Sequence, residues 1–183
     1  MTYIHIWAEA AAFASRAHEE HYRKDGKTPY FSHPVRVAMT LMYVFGCHDP
    51  KAITAALLHD TIEDSTTDYD DVAKRFGREV AEMVAALTKN MILPKKRREL
   101  DYDQRLSKAD WRARLVKLAD QYDNFSDAIT RAPNQPGKKR RETAVKVRRA
   151  IRLAQPDAKR HPETARAIKA CRTLLARGLR NRD

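Results

Sequence analysis

The chain has 183 residues and carries 36 Lys+Arg against 24 Asp+Glu, a formal charge of +12. That length is enough for one domain with a real core, and no apolar run approaches the roughly 20 residues of a membrane span. The two cysteines, Cys47 and Cys171, lie outside any C-x-x-C; they exclude a disulfide framework and read as buried thiols in a reducing compartment. Residues 1–17 have neither a cationic start nor a cleavage signature, so the expectation is a cytoplasmic protein.

The charge is uneven. Residues 1–130 hold 19 Lys+Arg against 20 Asp+Glu, whereas residues 131–183 hold 17 against 4. A basic block of this kind suits an anionic partner, whether nucleotide, nucleic acid or acidic protein. A solvated helix surface has the same composition.

In chain order, apolar spacing predicts a first helix from about Tyr3 to His21, with Trp7, Ala10, Phe13, Ala14 and Ala17 inside. Residues Arg23 to Pro29 form a polar loop holding Gly26. Ser32 is a candidate cap for a second helix that runs to Gly46, with Pro34 in its first turn. Asp49-Pro50 opens a central helix ending near Glu63, and Ser65-Thr66-Thr67 breaks it. Helices follow near Asp70–Phe76 and Arg78–Leu87. Pro94 and the run Lys95 to Arg98 interrupt any simple period in 89–108, which reads as a mobile loop with one short helix. A helix is expected from Asp110 to about Ile129, then a linker from Pro133 to Gly137. Basic amphipathic helices near Lys139–Leu153 and Pro162–Leu175 close the chain. The fold class is therefore all-α: residues 1–183 as a single compact helical bundle, strongly basic from about 131.

The stretch Ala55-Ala56-Leu57-Leu58-His59-Asp60-Thr61-Ile62-Glu63-Asp64 concentrates the chemistry. On one continuous helix at about 100° per residue, His59 and Glu63 share a stripe, and Asp60 and Asp64 share the next. Burying unpaired charge merely to fill a core costs several kcal/mol. A cation held there explains the residues better. His33 in Ser32-His33-Pro34 and Asp120 in Lys117-Leu118-Ala119-Asp120 add two further candidate ligands near helix ends.

Read together, these segments resemble the HD superfamily of metal-dependent phosphohydrolases. The likeness tightens over residues 5–130. His21-Tyr22-Arg23-Lys24-Asp25-Gly26, Thr28-Pro29-Tyr30, His33-Pro34-Val35-Arg36, the run 55–64, Phe76-Gly77, Leu87-Thr88 and Val116 to Asp120 with Asn124 are similar to the hydrolase domain of the RelA/SpoT alarmone enzymes. The chain has no room for their synthetase half and looks like a stand-alone small alarmone hydrolase of the metazoan SpoT-homologue type. The resemblance implies an HD-type bundle and a metal, usually Mn²⁺, on His33, His59, Asp60 and Asp120. Two imidazoles, two carboxylates and water suit Mn²⁺ better than a closed tetrahedral zinc site. It implies further that Glu63 and Asp64 orient and deprotonate the attacking water, that Arg23 and Lys24 pack around the base and nearby phosphate, and that Asn124 hydrogen-bonds the ribose. The implied reaction removes the 3′-pyrophosphate from (p)ppGpp or (p)ppApp.

Two positions depart from the pattern: Ser126 and Gln121 stand where basic residues are usual. Lys138, Lys139, Arg140 and Arg141 could compensate at the cleft mouth. His18 and His21 are expected to hydrogen-bond locally rather than ligate, and Tyr102 is a candidate base-packing aromatic. Competing readings are a related phosphatase acting on another nucleotide such as NADPH, a basic nucleic-acid-binding protein (possible but not favoured), and an antitoxin role against an alarmone synthetase. A monomer or a homodimer is compatible with the apolar faces of the last two helices.

Overall fold

The computed structural model describes residues 3–130 and 137–180. Among these residues, ten α-helices run in order: α1 (Tyr3–Ala17), α2 (Ser32–Met39), α3 (Pro50–Leu58), α4 (Thr61–Asp64), α5 (Tyr69–Phe76), α6 (Arg78–Leu87), α7 (Lys95–Lys108), α8 (Trp111–Thr130), α9 (Gly137–Ala154) and α10 (Pro162–Arg180). A π-turn at Thr40–Val44 extends α2, and a 3₁₀ turn at Gln155–Lys159 joins α9 to α10. No strand occurs among the described residues, and none of their helices is long and apolar enough to cross a membrane. The architecture is all-α, as expected.

Helix α3 is the axis. Every residue from Ala52 to Leu58 is buried, because α1, α2, α6 and α8 pack on its different sides. Asp49 caps it by accepting from the Ala52 backbone N–H at 2.8 Å, with Pro50 pre-set for the first turn. The second long element, α8, buries Leu115, Leu118, Ala119 and Phe125 and packs against α2, α3, α9 and α10. Leu115, Leu118 and Phe125 on α8 and Ile53 and Leu58 on α3 are among the largest fully buried side chains.

Four expectations are corrected. The central helix does not run unbroken to Glu63: it stops at Leu58, His59 closes it, and Asp60 lies near φ −103°, ψ −2° before α4 begins. Side chains take the carbonyls there, His59 Nδ1 that of Ala56 and Thr61 Oγ1 that of Leu58, both at 2.8 Å. Ser32 is not a cap, since Phe31 occupies that position and makes no side-chain bond. Residues 89–108 are not a loop with a short helix, because α7 has 14 residues and buries Tyr102 and Leu106. Pro94 only precedes it, where a proline costs nothing, and Arg105 ties it back to the Ala85 and Thr88 carbonyls. The second helix continues past Met39 only by widening into the π-turn, with Phe45 N–H donating to Thr40 O at 3.0 Å. The expected linker at 133–136 lies outside the described residues; Gly137 already begins α9.

Candidate metal centre

The α3–α4 break delivers His59 and Asp60, the start of α2 delivers His33, and the middle of α8 delivers Asp120. Ligand atoms of His33, His59 and Asp60 all lie within 4.8 Å of one another. Asp120 Oδ1 is 3.3 Å from His33 Nε2 and 4.0 Å from His59 Nε2. All four residues predicted as ligands therefore converge.

The hydrogen bonds around them decide how the rings present themselves. His33 Nδ1 is 2.7 Å from Asp123 Oδ2. An ionised carboxylate only accepts, so Nδ1 carries a proton and Nε2 faces Asp60 and Asp120, donating to the carboxylates in metal-free protein and offering a lone pair to a cation once that second proton leaves. His59 Nδ1 likewise donates to the Ala56 carbonyl. Its Nε2 is buried without a hydrogen-bond partner, although Asp60 Oδ2 is 3.0 Å away. A ring nitrogen against a carboxylate at that distance is held by positive charge between them, a proton in metal-free protein, whose place a divalent cation fits with this donor set.

Second contacts hold the carboxylates. Tyr30 Oη donates to Asp60 Oδ2 at 2.7 Å. Lys117 Nζ and Gln121 Nε2 reach Asp120 Oδ2 at 2.7 and 2.8 Å, and Asn124 donates to its Oδ1. Gln121, in place of a basic residue, thus serves as a neutral donor to Asp120. Burial opposes charge on His33, yet hydrogen bonds to Asp120 and Asp123 push it up to about 9. Burial raises and the His59 and His33 imidazoles lower Asp60, which ends well below the usual carboxylate range.

The remaining predicted residues surround this cluster. Glu63 Oε2 accepts from the Lys89 backbone N–H at 2.9 Å, and burial first, then the Asp60 charge, raises its pKa. The same two causes raise Asp64, which is exposed. Arg23 donates to Asn124 Oδ1 at 3.2 Å and Asp127 Oδ2 at 2.9 Å, and its guanidinium lies 5.5 Å from the centre of the Tyr30 ring. The exposed Lys24 feels partial burial and then the like charges of Lys139, Arg23 and Lys146, which lower its pKa. Lys139, one of the four basic residues expected at the cleft mouth, is the nearby charge that acts most strongly on Lys24.

Two expectations change. Tyr102 is 3% exposed, with Lys89 and Lys117 over its ring, so it has no open face for a base. His18 does not bond locally: both its nitrogens are buried without a partner, and burial lowers it to about 4. Four contributors escape the sequence reading: Asp123, Arg36, Tyr30 and Lys117. Asp123 lies three residues after Asp120, and Arg36 three after His33. That spacing puts each beside a ligand, which is the one signal that could have found the pair.

Known proteins resemble this chain in sequence and fold. The HD domain family model matches residues 10–146. The guanosine-3′,5′-bis(diphosphate) 3′-pyrophosphohydrolase MESH1 of Homo sapiens is 42% identical over 120 residues, 65% of this chain and 67% of that protein. MESH1 of Xenopus tropicalis is 40% identical over the same shares. Among solved structures, a metazoan orthologue of SpoT that hydrolyses ppGpp superposes with a TM-score of 0.75 at 26% identity, covering 92% of this chain and 94% of that one. With a family match across three quarters of its length enclosing every residue of the histidine–aspartate cluster, this chain belongs to the HD-domain family, on the branch that holds MESH1 and SpoT.

Proposed function

We propose that this protein is a Mn²⁺-dependent hydrolase that removes the 3′-pyrophosphate from (p)ppGpp or (p)ppApp. The observation that carries the reading is the grouping of His33, His59 and Asp60 ligand atoms within 4.8 Å of one another, with Asp120 Oδ1 at 3.3 and 4.0 Å from the two imidazole Nε2 atoms. The relatives' activity on guanosine-3′,5′-bis(diphosphate) supplies the substrate class. Nitrogen and oxygen donors with room for water favour Mn²⁺ over a closed tetrahedral zinc site.

In this reading His33, His59, Asp60 and Asp120 hold the cation, which supplies Lewis acidity and lowers the pKa of water. Glu63 and Asp64 orient the attacking water and take its proton. Their raised pKa values bring them nearer to neutral pH, where a general base works best. Arg23 packs on the base beside Tyr30 and grips oxygen with its fork. Asn124, already bonded to both Asp120 and Arg23, meets the ribose. Lys24, Lys139 and Lys146 form a cationic rim for the phosphates, so the basic C-terminal helices belong to the same working unit as the metal cluster, one domain over residues 1–183.

Purified protein with Mn²⁺ is incubated with 3′-pyrophosphorylated guanosine and adenosine nucleotides, and products are resolved by chromatography. Pyrophosphate plus the parent nucleotide is the expected outcome. Orthophosphate release instead, or equal turnover by an Asp60→Ala variant, refutes the proposal.

A further inference from the structure

Away from the metal centre, a pocket of about 410 Å³ opens between α10, α8 and the π-turn, lined by Val44, Tyr122, Arg166, Lys169, Leu174 and Arg177 among others. Its existence follows from how α10 is pinned. Near the start of α10, Arg166 Nε donates to the Phe45 carbonyl at 2.8 Å and Nη2 to that of Gly46 at 3.2 Å. Near its end, Gly178 packs so closely on α8 that an added Cβ would lie 2.4 Å from Ile129 Cδ1. Between these anchors the small Ala170 and Thr173 leave space over Tyr122.

The lining has two chemistries. Val44, Ala170, Leu174 and the half-buried Tyr122 make an apolar floor, and Tyr122 is steadied edge-on by Phe45 at 5.9 Å. Arg166, Lys169 and Arg177 make a cationic rim. Lys169 and Arg177 have no carboxylate partner among the described residues, and Arg166, bonded to the two carbonyls, has Glu163 at 3.8 Å as its one carboxylate there. A flat apolar floor beside three cations fits a base with a phosphate tail, and the volume lies in the range of small-molecule sites.

We propose that this pocket is a second, regulatory site that binds a nucleoside polyphosphate. Tyr122 is followed in α8 by Asp123, the carboxylate that holds His33. Val44 ends the π-turn that continues the helix carrying His33. An occupant therefore leans on both elements whose separation sets the distance from His33 to Asp120.

The test uses GTP as probe, since it has no 3′-pyrophosphate to lose. Calorimetric titration of the wild-type protein yields a binding event that Lys169→Glu with Arg177→Glu weakens by about tenfold or more, the loss expected when charge-assisted contacts become repulsive. Both side chains are exposed, so circular dichroism of the double variant matches the wild type. Filling the pocket with Thr173→Tyr has the same effect on GTP without changing charge. Inorganic triphosphate, which has no base for the floor, binds more weakly than GTP. At saturating substrate, where competition at the metal centre vanishes, GTP changes kcat in the wild type and not in the double variant. The proposal is overturned if GTP binding is weakened only by Arg23→Ala, if triphosphate equals GTP, or if kcat ignores GTP. It is also overturned if the double variant instead abolishes a concentration-dependent dimer in sedimentation, which would make this face a contact between copies. The binding measurements need no turnover, so they stand even if the alarmone assay fails.

Discussion

Replacing Asp123 by Asn isolates the bracket that the structure builds behind His33, one of the proposed metal ligands. Asp123 Oδ2 accepts from His33 Nδ1 at 2.7 Å and from Arg36 Nη2 at 2.9 Å, while Oδ1 accepts from Arg36 Nε at 2.7 Å. Every one of its close partners is a donor. An asparagine has one acceptor and one donor end, so either His33 or Arg36 must face an N–H. If the amide oxygen stays on His33, Arg36 loses a charge-assisted bond worth about 1.5–3 kcal/mol before solvent screening. That figure shrinks here because Arg36 is about a quarter exposed and still reaches Asp127 at 3.0 Å. The imidazole also loses the carboxylate that fixes its tautomer, a change that weakens metal affinity about 10- to 100-fold, or about 1.4–2.8 kcal/mol. Calorimetric titration of metal-free protein with Mn²⁺ measures this directly, and kcat at saturating Mn²⁺ falls far less than affinity does. If Asp123→Asn binds Mn²⁺ like the wild type while Asp60→Ala does not bind it, the bracket has no part in holding the cation.

Glu63→Gln retains Mn²⁺ in titration but lowers kcat by about 10²-fold or more, the size of a lost acid–base contribution; loss of metal would show Glu63 to be a ligand instead. Arg23→Ala raises KM by about tenfold, with kcat changed little, since it removes base packing and one phosphate contact. A pure kcat defect contradicts that role. In metal-free protein, His33 is raised above its ordinary 6.5 to about 9. Its protonated form stabilises the fold fully below about pH 6.5, and that contribution disappears as pH rises through 9. Thermal scans of metal-free protein therefore show Tm falling across this interval, and saturating Mn²⁺ flattens the fall by replacing the proton. A metal-free Tm that rises over the same interval contradicts the assignment.

Much of this was legible in the chain itself, for physical reasons. Apolar spacing along α1, α6 and α8 records which face is buried, and Asp49-Pro50 carries its own capping chemistry, so those elements could be read locally. Histidine and aspartate in a greasy setting announce a charge problem that only a cation or a tight network resolves. The basic excess after residue 130 is plain arithmetic. What the sequence could not contain is the pairing of distant surfaces. Helix α7 looks unstable alone, with four cations in its first turn and no acid there. It exists because Tyr102 and Leu106 find the core, and because Arg149 of α9 bonds to Glu99 and Asp103. The interruption at His59-Asp60 depends on side chains competing for the Ala56 and Leu58 carbonyls, which periodicity does not register. Asp123 meets His33 across 90 residues of chain, and Lys139 reaches the neighbourhood of Lys24, only once α8 has packed against α2 and α9 against α8. Ligand identity is therefore local chemistry written in the residues, whereas ligand geometry is a long-range consequence of which helix faces exclude water together.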